Sequence, residues 1–197
     1  MEKSINQQIV RCSWPKTELD VAYHDKEWGV PVHDDYKHFE FLVLDGFQAG
    51  LSWSTILAKR ENFRKAFDNF DFEKIANYGD EKVHELMNNE GIIRNRLKIY
   101  AAISNAQAFI RVRKEYGKFD NYIWEFTEGK TIHNNRETID QIPANTEESD
   151  RMSHDLKIRR FKFVGTTICY AYMQAAGMVN DHTTDCFRHK ELVGLYS

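Results

Sequence analysis

A chain of 197 residues with 42% hydrophobic and 13% aromatic content can bury one core, or two small lobes sharing one. Only three prolines occur in it, and long stretches without breakers argue against a β-sandwich and for helices. The net charge of −3 gives no global sign of a nucleic-acid binder, so a DNA surface would have to come from local basic clusters and backbone donors. In chain order, the first predicted helix follows Asp34-Asp35 and sets Phe39, Leu42, Val43 and Gly46 along one side. A second begins near Ser52, with Trp53, Ile56, Leu57, Phe63 and Phe67 as its buried stripe. Asp71 and Asp80 each precede a short helical pattern, carrying Phe72 with Ile75 and Val83 with Leu86 and Met87. The longest pattern runs from about Arg94 to Glu115 and ends near Gly117. Thr127 to Asn145 is more polar and is assigned at most a strand pair. Ser149 is the expected cap of a helix through Met152 and Leu156, and the last clear helix follows Gly165 and stops at Gly177.

No run of about eighteen apolar residues exists, so no transmembrane helix is expected. The opening stretch Met1 to Gln8 lacks the apolar core of an export signal, and a cytoplasmic protein is expected. The three cysteines, Cys12, Cys169 and Cys186, are too few for a disulfide framework. Cys169, in the apolar run from Thr167 to Tyr170, reads as a buried core thiol.

His182 and Cys186 form an H-x3-C pair, and Cys12 with His24 near the other end would complete a Cys2His2 set of the kind tetrahedral zinc favours. Spacing alone leaves open that these are four unrelated polar residues, because the long gap between the pairs carries no motif information. Between two helical patterns, Gly91 is free to adopt a left-handed turn that Ile92 and Ile93 anchor in the core, while Arg94, Arg96 and Lys98 open the next helix. Such a helix start can hold a DNA phosphate; an ordinary solvated connection remains the alternative. Lys157, Arg159, Arg160 and Lys162 read as a solvated basic face.

Aromatics concentrate beside polar groups in two segments, Ala22 to Pro31 and Leu44 to Trp53. A flipped purine needs flat apolar walls and a few polar groups to read its edge. Tyr23, Trp28 and Trp53 are candidate walls, Asp45 and Gln48 candidate edge contacts, and Gly50-Leu51 a candidate wedge for the gap in the duplex. Plain core packing of the aromatics is the competing reading.

Ala22 to Pro31, Gln48 to Trp53, Gly91 to Arg94, Phe161 to Tyr170 and Gln174 to His182 closely resemble the corresponding motifs of type I 3-methyladenine DNA glycosylases, in order and with matching gaps from about Arg11 to Cys186. The resemblance implies an all-α helix-hairpin-helix glycosylase fold with a zinc-binding region built from both termini. It implies one catalytic unit over residues 1–197: a helical lobe at 34–165 with its hairpin motif near 83–100, and a terminal lobe of 11–30 with 166–190. The implied roles are structural Zn2+ on Cys12, His24, His182 and Cys186, pocket contacts from Tyr23, Trp28, Trp53, Gln48 and Trp14, and catalysis at Asp45. DNA contacts are implied for Gly50, Leu51, Gly91, Ile92, Ile93 and Arg94. The implied activity is hydrolysis of 3-methyladenine from alkylated double-stranded DNA by a monomer. A non-catalytic damage-binding module on the same scaffold is the alternative. Two departures stand out: the family usually has Glu where this chain has Asp45, and Asp20 stands where some relatives have Tyr.

Overall fold

The computed structural model describes residues 9–196; the Met1 to Gln8 stretch read for an export signal lies outside them. Asp34 caps helix α2 (Asp35–Gln48) by accepting from the Lys37 amide at 2.9 Å, and Ser52 caps α3 (Trp53–Ala66) by accepting from the Thr55 amide at 3.2 Å. These are the starts that the sequence marks. α4 (Phe72–Ile75) follows its cap Asp71, whereas α5 (Asp80–Asn88) is capped by Gly79, so Asp80 is its first residue rather than its cap. α6 (Arg96–Tyr116) stops at Gly117, whose φ of +80° suits a residue without a Cβ. α8 (Glu147–Ile158) begins one turn before the expected cap: Thr146 is the cap, and Ser149 returns the hydrogen bond to the Thr146 amide at 2.9 Å.

Three helices escape the sequence pattern. α1 (Glu18–Lys26) buries Asp20, Tyr23 and His24, so two of its three buried positions are polar and no apolar stripe announces it. α7 (Phe119–Ile123) is too short to show a period. α10 (Phe187–Leu195) lies beyond Gly177, so α9 (Thr166–Ala175) is not the last helix. The polar stretch from Thr127 to Asn145 does not contain a strand pair. Its one short strand, β1 (Ile132–His133), pairs in parallel with β2 (Val179–Asn180), with Ile132 opposite Val179. Two-residue strands that pair across the fold leave no alternation to read.

α2 is the central helix, buried along nearly its whole length from His38 to Phe47 and packed on α3, α6, α7 and α9. Among the described residues, one buried apolar cluster runs from Cys12 to Cys186, and no helix is long and apolar enough to cross a membrane. A charged lattice fixes α1, α2 and α3 to one another. Arg60 of α3 donates to both oxygens of Glu27 at 2.9 and 2.8 Å and to Glu40 of α2 at 2.8 Å, while Lys37 donates to Glu27 and Glu40. Burial alone would raise the Glu27 carboxyl, but the Arg60 and Lys37 contacts outweigh it and bring it down to about 2.

The loop after α1 is held against the end of α9. The amides of Gly29 and Val32 donate to the Gln174 and Ala176 carbonyls at 3.0 Å each, occupying acceptors that a helix end leaves free. Gly177 makes this approach possible: its φ is +69°, and a Cβ there would lie 2.2 Å from the Val30 carbonyl carbon. Gly177→Ala is expected to cost about 2–4 kcal/mol, from overpacking against backbone plus a left-handed conformation. Thermal melting checks this, and an unchanged melting point would contradict it.

Candidate functional site

The lattice of α1, α2 and α3 aims one side chain after another into a single cavity of about 440 Å3. Trp14, Tyr23 and Trp28 come from the N-terminal segment and α1, Asp45 and Gln48 from the last turn of α2, and Trp53 from the start of α3. Every residue predicted to touch a base is therefore in one wall or another. The aromatic rings brace each other: Tyr23 lies 5.3 Å from Trp53 and Trp14 lies 5.2 Å from Trp28, centroid to centroid. The opposite wall was not anticipated. Thr167, Ile168, Ala171, Gln174 and Ala175 line it from one face of α9, and Ile139 and Ile142 close a side. The α9 residues recur at helical spacing, a signal that their small and mixed character conceals. The 139–142 segment has no periodicity to find.

Three buried polar atoms of the residues lining this cavity lack partners. Asp45 is 3% exposed, and its Oδ2 has no hydrogen bond. The indole nitrogens of Trp14 and Trp53 are likewise buried and unpaired. Buried polar groups are normally satisfied, so one acceptor and two donors without partners around one cavity describe a site complementary to a polar, flat ligand. Burial pushes the Asp45 carboxyl well above the ordinary carboxylate range, with no cation opposing it. Asp20, by contrast, lies outside the cavity. It is buried, accepts from the Thr17 and Lys16 amides and from the Ser54 hydroxyl, and ties the start of α1 to α3.

At the cavity rim, Gln48 donates from Nε2 to the Leu51 carbonyl at 2.7 Å and shapes the tip that Gly50 (φ +81°) turns and Leu51 exposes. A second projection, residues 89–94 between α5 and α6, is tied to α3 by Lys59, whose Nζ donates to the Glu90 and Gly91 carbonyls. Ile92 is buried, Ile93 half-buried and Arg94 exposed there. Gly91 has no positive φ; the position is tight instead, since a Cβ would lie 3.0 Å from Asn89 Oδ1 and 3.1 Å from the Asn62 side chain. Lys98 is not part of a phosphate-holding start to α6. It is buried, and its Nζ donates to the carbonyls of Phe47 and Ala49 at 2.9 and 2.6 Å, closing the C-terminal end of α2 beneath the tip. In the second basic cluster, Arg159 pairs with Asp155 and Glu115, while Lys157, Arg160 and Lys162 are exposed.

Behind Trp28, Cys12, His24 and Cys186 converge with their ligand atoms within 4.8 Å of one another. His182 stands at the edge of this trio, its ring 4.9 Å from that of His24 and 4.5 Å from that of Trp28. His24 donates from Nδ1 to Asp25 at 2.7 Å and turns Nε2 to Cys186 Sγ at 3.5 Å. His182 donates from Nδ1 to Asn180 Oδ1 at 3.0 Å, which leaves Nε2 buried, basic and unpaired. The hydrogen bond with Cys12 holds the Cys186 thiol below the ordinary thiol range, with burial opposing. Two imidazoles, each held by a second hydrogen-bonding partner, and two cysteine sulfurs form a soft, nitrogen–sulfur donor set.

The sequence matches the family model for methyladenine glycosylase over residues 14–189. The chain belongs to the methyladenine glycosylase family. It is 48% identical over 177 residues to the DNA-3-methyladenine glycosylase 1 of Escherichia coli (strain K12), covering 89% of this chain and 95% of that relative. The fold matches the crystal structure of a 3-methyladenine DNA glycosylase I with a TM-score of 0.87 at 49% identity, over 90% of this chain and 98% of that one. It also matches a point variant of 3-methyladenine DNA glycosylase I in complex with 3-methyladenine, with a TM-score of 0.85 at 32% identity, over 87% of this chain and 92% of that one. These two relatives of known structure thus share the chain's fold over nearly its whole length.

Proposed function

We propose that this protein is a monofunctional DNA-3-methyladenine glycosylase acting in base excision repair, and that it works as a monomer on alkylated double-stranded DNA in the cytoplasm. The observation that carries the reading is the unpaired Asp45 carboxyl set among Tyr23, Trp53 and Trp14 in a cavity of about 440 Å3, in a chain of this family. In DNA, 3-methyladenine carries a positive charge. Electron-rich indole and phenol faces attract such a base more than a neutral purine, and a carboxylate desolvated beside it adds charge attraction. Asp45 is the one acidic residue among those lining the cavity. Extrusion would place the base between the rings, with Gln48 at its edge, while the exposed Leu51 on the Gly50 turn would fill the gap in the duplex. Residues Gly91 to Arg94 would hold the backbone through amides of the projection.

The C1′–N bond then breaks with its electron pair moving to the base. That pair neutralises the cation, so the leaving group needs no added proton. Water adds hydroxide to C1′ and gives up one proton. Stacking and a nearby carboxylate stabilise the separating charges, which are the interactions that lower a barrier of this kind.

The Cys12, His24, His182 and Cys186 donor set fits a zinc ion. Support comes from Cys12, His24 and Cys186, whose donor atoms lie within 4.8 Å of one another, and from the buried, unpaired Nε2 of His182, whose ring stands 4.9 Å from that of His24. Four protein donors leave no open position, so the metal would supply a cross-link between the chain's ends and no chemistry at the base.

Quenching of tryptophan fluorescence by free bases tests the pocket. Methylated adenine is expected to bind and unmodified adenine to bind far more weakly; equal affinity would contradict the charge-based selection. Trp53→Ala should weaken binding of the free base by about 10–100-fold, a stacking contribution of 1–3 kcal/mol, with little loss of thermal stability because Trp53 is only half-buried.

A further inference from the structure

Asp45 faces two compartments. One is the base pocket; the other is a small compartment of about 10 Å3 behind it, which Tyr172 and Cys169 of α9 also line. That volume is on the scale of a single water molecule. Asp45, whose Oδ2 is unpaired, and Tyr172 are the residues of its wall that would partner such a water, since the Val164 carbonyl already receives the Ser153 hydroxyl at 2.7 Å and the Cys169 thiol at 3.5 Å. Tyr172 opens a path outward. Its hydroxyl donates to Nδ1 of His38 at 2.6 Å, and Nε2 of His38 donates to Oδ1 of Asp120 at 3.1 Å. The same Asp120 oxygen receives Nδ1 of His33 at 3.0 Å. Tyr172 and His38 are fully buried, whereas the His33 side chain is 60% exposed and stacks on Trp124. His38 and Asp45 lie seven residues apart on α2, two turns and about 10 Å along one face; hydrogen-bonded side chains run from Tyr172 to the surface, and a water in the rear compartment would join Asp45 to them.

We propose that Tyr172 and His38 are positioning residues that carry a proton between Asp45 and the surface at His33, by the back of the base pocket. The inference rests on the base-excision reading. A cationic base in the pocket favours ionised Asp45, whereas the empty pocket favours its protonated form because burial disfavours charge there. Binding therefore ejects a proton, and a stacked base blocks the front exit. The Asp45 O–H bond breaks and the proton joins a water in the rear compartment. That water passes a proton to the Tyr172 oxygen as the Tyr172 proton moves to His38 Nδ1. The His38 Nε2 proton passes to the partly exposed Asp120 carboxylate and from there to solvent beside His33, whose Nδ1 already carries a proton. One proton crosses, no electrons move, and the reverse sequence resets the His38 tautomer when the product departs. The titratable groups facing this route are Tyr23, Cys169 and Tyr172 about Asp45, Asp120 and Tyr172 about His38, and His33 and His38 about Asp120.

Rapid mixing of the protein with free 3-methyladenine in weak buffer containing a pH-indicator dye tests the route, with base binding followed in parallel by tryptophan quenching. In wild type, proton release should keep pace with binding. In Tyr172→Phe and in His38→Gln, which keeps a hydrogen-bonding side chain but cannot relay, release should lag by at least about tenfold, while the number of protons released at equilibrium stays the same. A structural role alone would change affinity or melting temperature without separating the two rates. Release that keeps pace with binding in either folded variant overturns the route. Wild-type protein that binds no methylated base would instead remove the functional reading on which it stands.

Discussion

Asp45→Asn is expected to lower release of 3-methyladenine from alkylated DNA by about 10²-fold, the range for losing a hydrogen bond to a charged group at a desolvated site, and at the same time to stabilise the fold at neutral pH. Both effects follow from one fact. Asp45 is buried among aromatic rings, with Oδ2 unpaired, and burial lifts its carboxyl well above the ordinary range. A raised folded value means that the folded state keeps a proton that the unfolded chain has lost. Below the ordinary Asp range both states are protonated and no cost arises. As pH rises through that range the unfolded chain ionises first, stability falls, and the loss levels off only above the raised folded value. The amide variant has no such term. The melting temperatures of the two proteins should therefore coincide near pH 3 and diverge in favour of the variant towards pH 7. Asp45→Glu keeps the charge, adds one methylene of reach and should retain more activity than the amide. Full activity in Asp45→Asn would remove the carboxylate from the chemistry, and parallel melting curves at every pH would show that it is not held uncharged.

If the Cys12, His24, His182 and Cys186 set holds zinc as proposed, removing the ion is expected to cost more stability than any single substitution in the pocket. A closed Cys2His2 site contributes its binding free energy to folding, and here it would join residues near positions 12 and 24 to residues 182 and 186. A loss of about 4–5 kcal/mol would lower the melting temperature by roughly 10–20 °C in a protein of this size. Activity should fall along with the folded fraction, because the Trp28 wall of the pocket rests 4.5 Å from the His182 ring. Elemental analysis should find one zinc per chain, and Cys186→Ala should reproduce the effect of a strong chelator. Loss of base release with an unchanged melting temperature would contradict a structural metal.

The sequence exposed those parts of the fold in which one helix buries one apolar face. α2, α3 and α6 have caps and stripes, and their boundaries fall within a residue or two of expectation. α1 stayed hidden because two of its three buried residues, Asp20 and His24, are polar, and beside their local partners each also bonds to a remote one: Ser54 for the first, the sulfur cluster for the second. The parallel pairing of β1 with β2 was hidden for the same reason, since it joins segments nearly fifty residues apart. In the pocket, Tyr23, Trp28, Trp53 and Asp45 were legible as aromatics crowded beside polar groups. The α9 wall was not, because Thr167, Ala171 and Gln174 are individually ordinary and gain meaning only from what faces them. Lys98 shows the converse. A lysine near a helix start reads as a phosphate ligand, yet the two carbonyls at the end of α2 occupy its ammonium.

The Glu27, Glu40 and Arg60 lattice links this architecture to function. It spans the three helices that carry Tyr23, Asp45 and Trp53, and it keeps charge compensated close to a site whose own carboxyl lacks a partner. An uncompensated buried acid is costly, and sites that tolerate such a cost are commonly those whose ligand removes it.

The most direct measurement is the release of free bases from DNA treated with a methylating agent, separated by chromatography, with folded protein supplied with zinc. Selective release of 3-methyladenine, at a rate that Asp45→Asn cuts by about 10²-fold, is the expected result. Binding of the alkylated DNA with no base released would contradict a catalytic role and leave a damage-binding module on a glycosylase scaffold.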